Sequence, residues 1–202
     1  MRRIAVRVLL TVVVPCTLAI LARPTLALTD RTIGVYFDAE GVQCNGTIVP
    51  GTPGIIYVLA RLDAGAPGIH GFEFRFTGIP ETWSIYPVPN PDMLVLGDPF
   101  GNGAGGGLMT CQRPATGIVK LYTVVVLASA EATNVRFDIK SQAIPSNPGF
   151  RCPLVINCDA PIYSMTCVEG VPCTVNPSQP RPCAYPTAIE PASWSTMKQF
   201  YR

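Results

Sequence analysis

The sequence predicts an all-β protein: an antiparallel β-sandwich, then a disulfide-rich C-terminal extension and a short terminal helix. Three observations carry that expectation. Phe72, Phe74 and Phe76 alternate with Glu73, Arg75 and Thr77, and Val135, Phe137 and Ile139 alternate with Arg136, Asp138 and Lys140. That is the period-two pattern of a strand with one buried and one wet face. The 21 Pro and 18 Gly fall between such runs as turn punctuation, leaving little room for helices. Of the 8 Cys, all but Cys16 lie after an N-terminal export signal.

That signal occupies residues 1–27. A basic start (Arg2, Arg3, Arg7) leads into an apolar run over 8–22, and Thr25-Leu26-Ala27 places small residues three before and directly before a cut ahead of Leu28. The run is shorter than the ~20 residues a bilayer core requires, and Pro15 interrupts it, so no membrane span is expected after cleavage. Losing Arg2, Arg3, Arg7 and Arg23 takes the 15 basic residues to 11 against 13 acidic, a mature balance of −2. No Lys/Arg run survives, and nucleic-acid or anionic-membrane binding is set aside on that ground.

Strands are expected at 32–38, 55–62, 72–77, 83–88, 93–96, 108–112, 118–128, 135–140, 154–156 and 162–168. The nearly unbroken apolar stretch 121–127 reads as a central strand. Many short strands with turns between them imply two packed antiparallel sheets over residues 28–144. From residue 145 the texture changes, with ten prolines and five cysteines before residue 192. Residues 145–202 are expected as a Cys/Pro-rich extension packed on the sandwich. It would end in a helix capped by Ser193, with Trp194, Met197 and Phe200 or Tyr201 on one face docking against the body.

Cys44, Cys111, Cys152, Cys158, Cys167, Cys173 and Cys183 remain after cleavage, and an oxidising compartment makes them disulfide candidates. No Cys-x2-Cys pair exists, and the single His70 lies far from the cysteine cluster, so structural zinc is not expected. If 153–157 is a strand, Cys152 and Cys158 stand about 20 Å apart, beyond the ~7 Å Cα limit of a bridge. Cys167 and Cys173 flank a Gly- and Pro-bearing stretch and are the favoured pair. Seven is odd, which leaves one thiol over.

Four stretches, Ile33-Gly34-Val35-Tyr36-Phe37-Asp38, residues 54–62, Gly68-Ile69-His70-Gly71-Phe72-Glu73-Phe74-Arg75-Phe76 and Trp194-Ser195-Thr196-Met197-Lys198-Gln199-Phe200-Tyr201-Arg202, resemble a group of uncharacterised secreted bacterial proteins. That likeness implies no activity. In its hydrophobic pattern, a strand, a glycine-bearing turn and a strand of alternating aromatic and charged residues, the chain is also similar to cohesin-like sandwiches. The resemblance implies a cohesin-like or immunoglobulin-like sandwich acting as a noncatalytic extracellular module.

Candidate chemistry is sparse. Gly101-Asn102-Gly103-Ala104-Gly105-Gly106 satisfies G-x-G-x-x-G, but strand-like residues follow it where a dinucleotide site needs a helix. Asp92, Asp98 and Asn102 offer oxygen ligands to calcium, yet Asp and Asn are also ordinary turn formers. His70 reads as a surface or turn histidine, and no Gly-x-Ser-x-Gly element accompanies it. Asp38, Glu40 and Glu73 are carboxylates with no spacing that singles them out for catalysis. Asn45-Gly46-Thr47 fits a glycosylation sequon and reads as a turn. No cofactor, metal or catalytic residue is therefore expected.

Trp83 and Tyr86, set among Pro87, Pro89 and Pro91, are the candidate binding platform, since exposed aromatic rings hold sugar rings or proline-rich peptides. The competing reading puts Trp83 in the core at a sheet edge. The expected function is a secreted or cell-surface, noncatalytic binding, adhesion or structural role, toward carbohydrate or a cell-envelope protein. The alternative is a small secreted hydrolase acting on a polymer through carboxylates.

Overall fold

The computed structural model describes residues 31–63, 65–159 and 163–183. The expected export signal and the helix expected after Ser193 lie outside the described residues. Within them the chain is all strand, turn and loop.

Thirteen strands form. The first four are β1 (Thr32–Tyr36), β2 (Asn45–Gly46), β3 (Pro53–Arg61) and β4 (Ile69–Thr77). The middle of the chain gives β5 (Ser84–Pro89), β6 (Met93–Asp98), β7 (Gly103–Gln112), β8 (Ile118–Leu127) and β9 (Val135–Lys140). The Cys/Pro-rich stretch adds β10 (Leu154–Asn157), β11 (Met165–Cys167), β12 (Glu169–Val171) and β13 (Cys173–Val175).

Two sheets pack face to face. One has five strands in the order β12-β1-β3-β8-β5. The other runs β11-β10-β4-β9-β13-β2, with β7 beside β4 and β6 beside β7. Strand β8 is central, hydrogen-bonded to β3 on one side and β5 on the other. That position explains its near-continuous apolar run, since its outward side chains, like its inward ones, lie among apolar neighbours.

The sheets are not wholly antiparallel. β12 pairs parallel with β1 (Ile33 opposite Gly170), and β13 pairs parallel with β2 (Thr174 opposite Asn45). Parallel pairing needs a long crossover, and here it comes from the end of the chain returning to strands laid down at its start. The residues expected as an extension thus hydrogen-bond into both sheets.

The interior is aromatic. The alternation of β4 turns Phe72, Phe74 and Phe76 inward, where all three are buried. Tyr122 from β8 meets Phe72 and Phe74 edge-on at 6.1 and 5.8 Å. Phe137 from β9 meets Phe76 at 5.2 Å and Trp83 at 6.1 Å. Each such side chain removed from water contributes about 1.5–3 kcal/mol. Gly106 on β7 is a close-approach residue, because the Phe72 ring occupies the space a Cβ would need.

Three disulfides close the described chain: Cys44–Cys183, Cys111–Cys158 and Cys152–Cys167. Cys152 and Cys158 flank β10 and do not pair with each other. The favoured Cys167–Cys173 bridge is overturned. Residues 168–172 do not turn back; they carry β12 across to the five-stranded sheet, between β11 and β13 of the other. Gly170, read as a turn residue, serves a close crossing, since a Cβ there would strike the Ile139 carbonyl. Among the described residues Cys173 is the unpaired thiol, buried against the core, and burial pushes it up to about 12.

Candidate functional site

Of the two candidate platform residues, only one is available. Trp83 is 6% exposed and packs edge-on against Phe137, so its large apolar surface belongs to the core. Tyr86 is 70% exposed on β5. Register places it in one outward row with Val125 of β8 and Ile55 of β3, the last 51% exposed. Val88 and Leu127 extend this apolar strip on the outside of the five-stranded sheet. Toward β1 the strip is covered: Gly41 sits on Leu59 and Arg61, and Tyr36 is buried beneath the same loop.

The other sheet carries the more sharply shaped surface. Along β6, Met93 points inward while Leu94 and Leu96 point out, 67% and 71% exposed. Leu94 lies opposite Gly107 and Leu96 opposite Gly105 on β7, and these two glycines face Gly71 and Glu73 on β4. Beyond Gly71 stands Ile156 of β10, its side chain leaning over the glycine. The result is a groove whose open floor is Gly107, with Leu94 as one wall and Ile156, over Gly71, as the other, while Leu96 continues the wall beside the Gln142-covered Gly105. Above Gly107 the space is open. Strand β6 is hydrogen-bonded only to β7 among the described residues, so one edge of its backbone faces outward. Met109 continues the apolar surface at 74% exposed, and Ile144 stands 78% exposed in the loop that follows β9.

That loop also settles Glu73. Gln142 lies over Gly103 and Gly105, and Ser146 donates from its backbone N–H and its hydroxyl to the Glu73 carboxylate, the latter at 2.5 Å. The 7% exposed carboxylate is therefore a loop anchor. Asp38 is engaged too, accepting from the Val42 and Gln43 N–H groups to fix the turn after β1. Glu40, exposed in that same turn, completes the carboxylates singled out in the sequence.

The remaining candidates separate in space. Asp92 and Asp98 bracket β6, six residues and about 20 Å apart along an extended strand, so the calcium set of Asp92, Asp98 and Asn102 cannot close on one ion. Asp98 instead accepts from the Phe100 N–H in the β6–β7 turn. Residues 101–106 form that turn and the start of β7, an antiparallel hairpin with no phosphate cradle. His70 is the second residue of β4, with its ring stacked on Tyr163 at 4.7 Å and 8° between planes. Asn45, of the sequon, is part-buried in β2, and its side-chain amide donates to the Arg181 carbonyl.

What sequence reading missed is the groove. Its signal was present as Leu94 and Leu96 alternating in a short strand, and as glycines at 105 and 107. Only the register, which sets those glycines between Leu94/Leu96 and Ile156, turns them into a site.

No family model matches the sequence, and no curated protein matches it. Among solved structures, the chain is similar to a cohesin module of a family 33 glycoside hydrolase from Clostridium perfringens, at 10% identity and TM-score 0.45, covering 73% of this chain and 97% of that one. It is also similar to the sixth cohesin of scaffoldin B from Acetivibrio cellulolyticus, solved with a Cel5 dockerin mutant, at 9% identity and TM-score 0.45 over 72% and 97%. A non-cellulosomal cohesin from Archaeoglobus fulgidus stands at 10% identity and TM-score 0.39 over 72% and 90%.

Proposed function

We propose that this chain is an exported, noncatalytic binding module with an adhesive or structural role, and that it holds a protein partner on the glycine-floored groove of the eight-stranded sheet. The observation that carries the reading is the groove itself. Leu94, Leu96 and Met109 are each more than 65% exposed beside open backbone and a free strand edge. Exposed apolar side chains clustered this way mark interaction sites. An extended segment of a partner can add its backbone to the β6 edge while its side chains enter the groove, which is how strand addition gains both affinity and selectivity. Two of the three carboxylates named in the sequence, Asp38 and Glu73, are committed to loops, which supports binding over hydrolysis.

The test is retention of the oxidised mature protein on cell-envelope material and secreted proteins, beside Leu94→Ser/Leu96→Ser and Tyr86→Ala variants. The reading expects retention to fall at least tenfold in the leucine double variant and to hold in Tyr86→Ala. Equal retention by the double variant, with its fold verified by circular dichroism, would sink the groove as the site.

A further inference from the structure

The opposite end of the same sheet is built differently, and the groove plays no part in it. A concavity of about 240 Å³ opens on the outer face of β9, β13 and β2, lined by Asn45, Arg136, Thr174, Ser178, Gln179 and Arg181, with Asn134 and Pro177 completing it. Register fixes its floor: Thr174 lies opposite Arg136 on one side and Asn45 on the other, all facing out, while Cys173, Val175 and Phe137 face the core.

The wall of this concavity is the chain from 177 to 181, and it is secured at both ends. At one end Asn176 donates to the Ile48 and Ala132 carbonyls and accepts from the Ile48 N–H. Beside it, Ser178 donates from its N–H and its hydroxyl to Asn134. Asn134 and Asn176 both hold positive φ, 55° and 50°, a conformation Asn tolerates better than most residues. At the other end Cys183 is bonded to Cys44. Polar groups fixed in place before a ligand arrives bind at lower entropic cost.

Its electrostatics favour an anion. Arg136 uses Nε on Asp138, which leaves the paired Nη edge of its guanidinium free to grip an oxyanion. Arg181 makes no ion pair among the described residues. Lys140 follows two residues beyond Asp138 on the same outward face of β9, and Arg75 of β4 lies directly opposite it. The Arg75 Nε is buried with no hydrogen-bond partner among the described residues. Arg136 and Arg181 thus border the concavity, while Lys140 stands further along β9, past the Asp138 that pairs with Arg136, with Arg75 beside it on β4.

We propose that this concavity and the cationic row beside it bind an anionic polysaccharide, one charged sugar unit seated between Arg136 and Arg181 and further units passing along Lys140 and Arg75. The volume suits one unit more than a drug-sized ligand. The Asn, Thr, Ser and Gln side chains pair with sugar hydroxyls. No aromatic ring lines the concavity to stack a base, as single-stranded nucleic acid would need.

The test is equilibrium binding of the oxidised mature protein to polygalacturonate, dextran sulfate, neutral dextran, poly-glutamate and a single-stranded oligonucleotide. Wild type, Arg136→Gln/Arg181→Gln and Leu94→Ser/Leu96→Ser are compared. We expect binding to an acidic glycan that weakens at least tenfold in the arginine variant and is unmoved in the leucine variant. Preference for polygalacturonate would assign a carboxylate sugar, and preference for dextran sulfate a sulfated one. Equal binding to poly-glutamate or the oligonucleotide would overturn the proposal, as would glycan binding indifferent to the arginines or no glycan binding at all. Because both arginines are exposed, melting temperature and circular dichroism should match wild type. A loss of fold would be answered with Gln179→Ala, which should weaken glycan binding severalfold, and unchanged binding there would also overturn it.

Discussion

Replacing both Cys44 and Cys183 by Ala should destabilise the protein more than replacing both Cys152 and Cys167, although the second pair also anchors the Cys/Pro-rich strands. A disulfide stabilises chiefly by shortening the loops open to the unfolded chain, so its worth grows with the length it closes. The Cys152–Cys167 bridge closes 15 residues, worth about 3 kcal/mol on that model. Cys44–Cys183 spans 139 residues but encloses the other two bridges, and Cys111–Cys158 short-cuts 47 of them. The effective loop is then about 90 residues, worth about 4.6 kcal/mol. In a chain of this size 1 kcal/mol moves the melting point by roughly 2–4 °C, so the expected falls are roughly 9–18 °C and 6–12 °C. Calorimetry on the two double variants, purified under matched oxidising conditions, reads the difference directly. A larger fall for the Cys152/Cys167 variant, or none for Cys44/Cys183, would refute the argument, because no loop-entropy account gives that order. The same Cys44/Cys183 variant should also lose acidic-glycan affinity, since it unpins the wall that carries Arg181.

Other outcomes follow from the packing and the protonation states. Trp83→Ala should cost about 3–5 kcal/mol by opening a cavity against Phe137, whereas Tyr86→Ala should stay within about 0.5 kcal/mol, both read by denaturant titration. Gly106→Ala must displace the Phe72 ring and should cost about 1–3 kcal/mol. Gly107→Ala meets open space, so it should leave stability nearly unchanged while narrowing the groove and weakening partner retention. Stability should fall with rising pH between about 9 and 12, because two groups keep their protons in the fold after the unfolded chain has lost them. Burial and then Asp98 push Tyr122 from 10.0 up to about 12, and burial pushes Cys173 from 9.0 up to about 12. Each such group contributes a slope of up to ~1.4 kcal/mol per pH unit within its window. Urea titrations at pH 8, 10 and 11 should show this slope flatten in Tyr122→Phe and Cys173→Ala, and an unflattened slope in both would place its origin elsewhere.

Most strands of the first 140 residues were legible because their side chains alternate against a two-sided environment, but β2 was read as a turn and the glycine-rich first half of β7 was not read as strand. Phe72, Phe74 and Phe76 announce a buried face, and 118–127 announces a central position. The last strands were not legible for the opposite reason. β12 and β13 are three residues each, too short for periodicity, and their Gly170 and Pro172 read as punctuation. Gly170 is there to let β12 pass the Ile139 carbonyl, a long-range demand that leaves no local trace. The misassigned Cys167–Cys173 pair came from that same reading. The core reading of Trp83, made from its residue type, is the one the structure bears out; what the sequence did not give is its partner, Phe137 reaching it from β9. The cations at 75, 136, 140 and 181 form no run, so a search for basic clusters passes over them.

The location of function follows from how this sandwich fills itself. The rings of Phe72, Phe74, Tyr122, Phe76 and Phe137 interlock between the sheets, so the interior is spent on stability, and recognition must use the outer faces. On the five-stranded face the loop around Gly41 already covers the β1 side, which leaves a mainly apolar strip interrupted by Ser84 and Thr123. The eight-stranded face is different at both ends. At β6 the glycine floor exposes backbone beside Leu94 and Leu96; three strands away, roughly 14 Å at ~4.8 Å per strand, β9 presents its arginine and lysine. Between them the Glu73 carboxylate is held by the Ser146 N–H and hydroxyl, which fixes the loop after β9 over that part of the sheet. Apolar contacts of the first kind govern how long a partner stays, and charges of the second kind govern how fast it arrives and how salt changes that rate. If both proposals hold, one sheet face carries two separable means of attachment, an arrangement suited to a module that joins a protein to a charged surface.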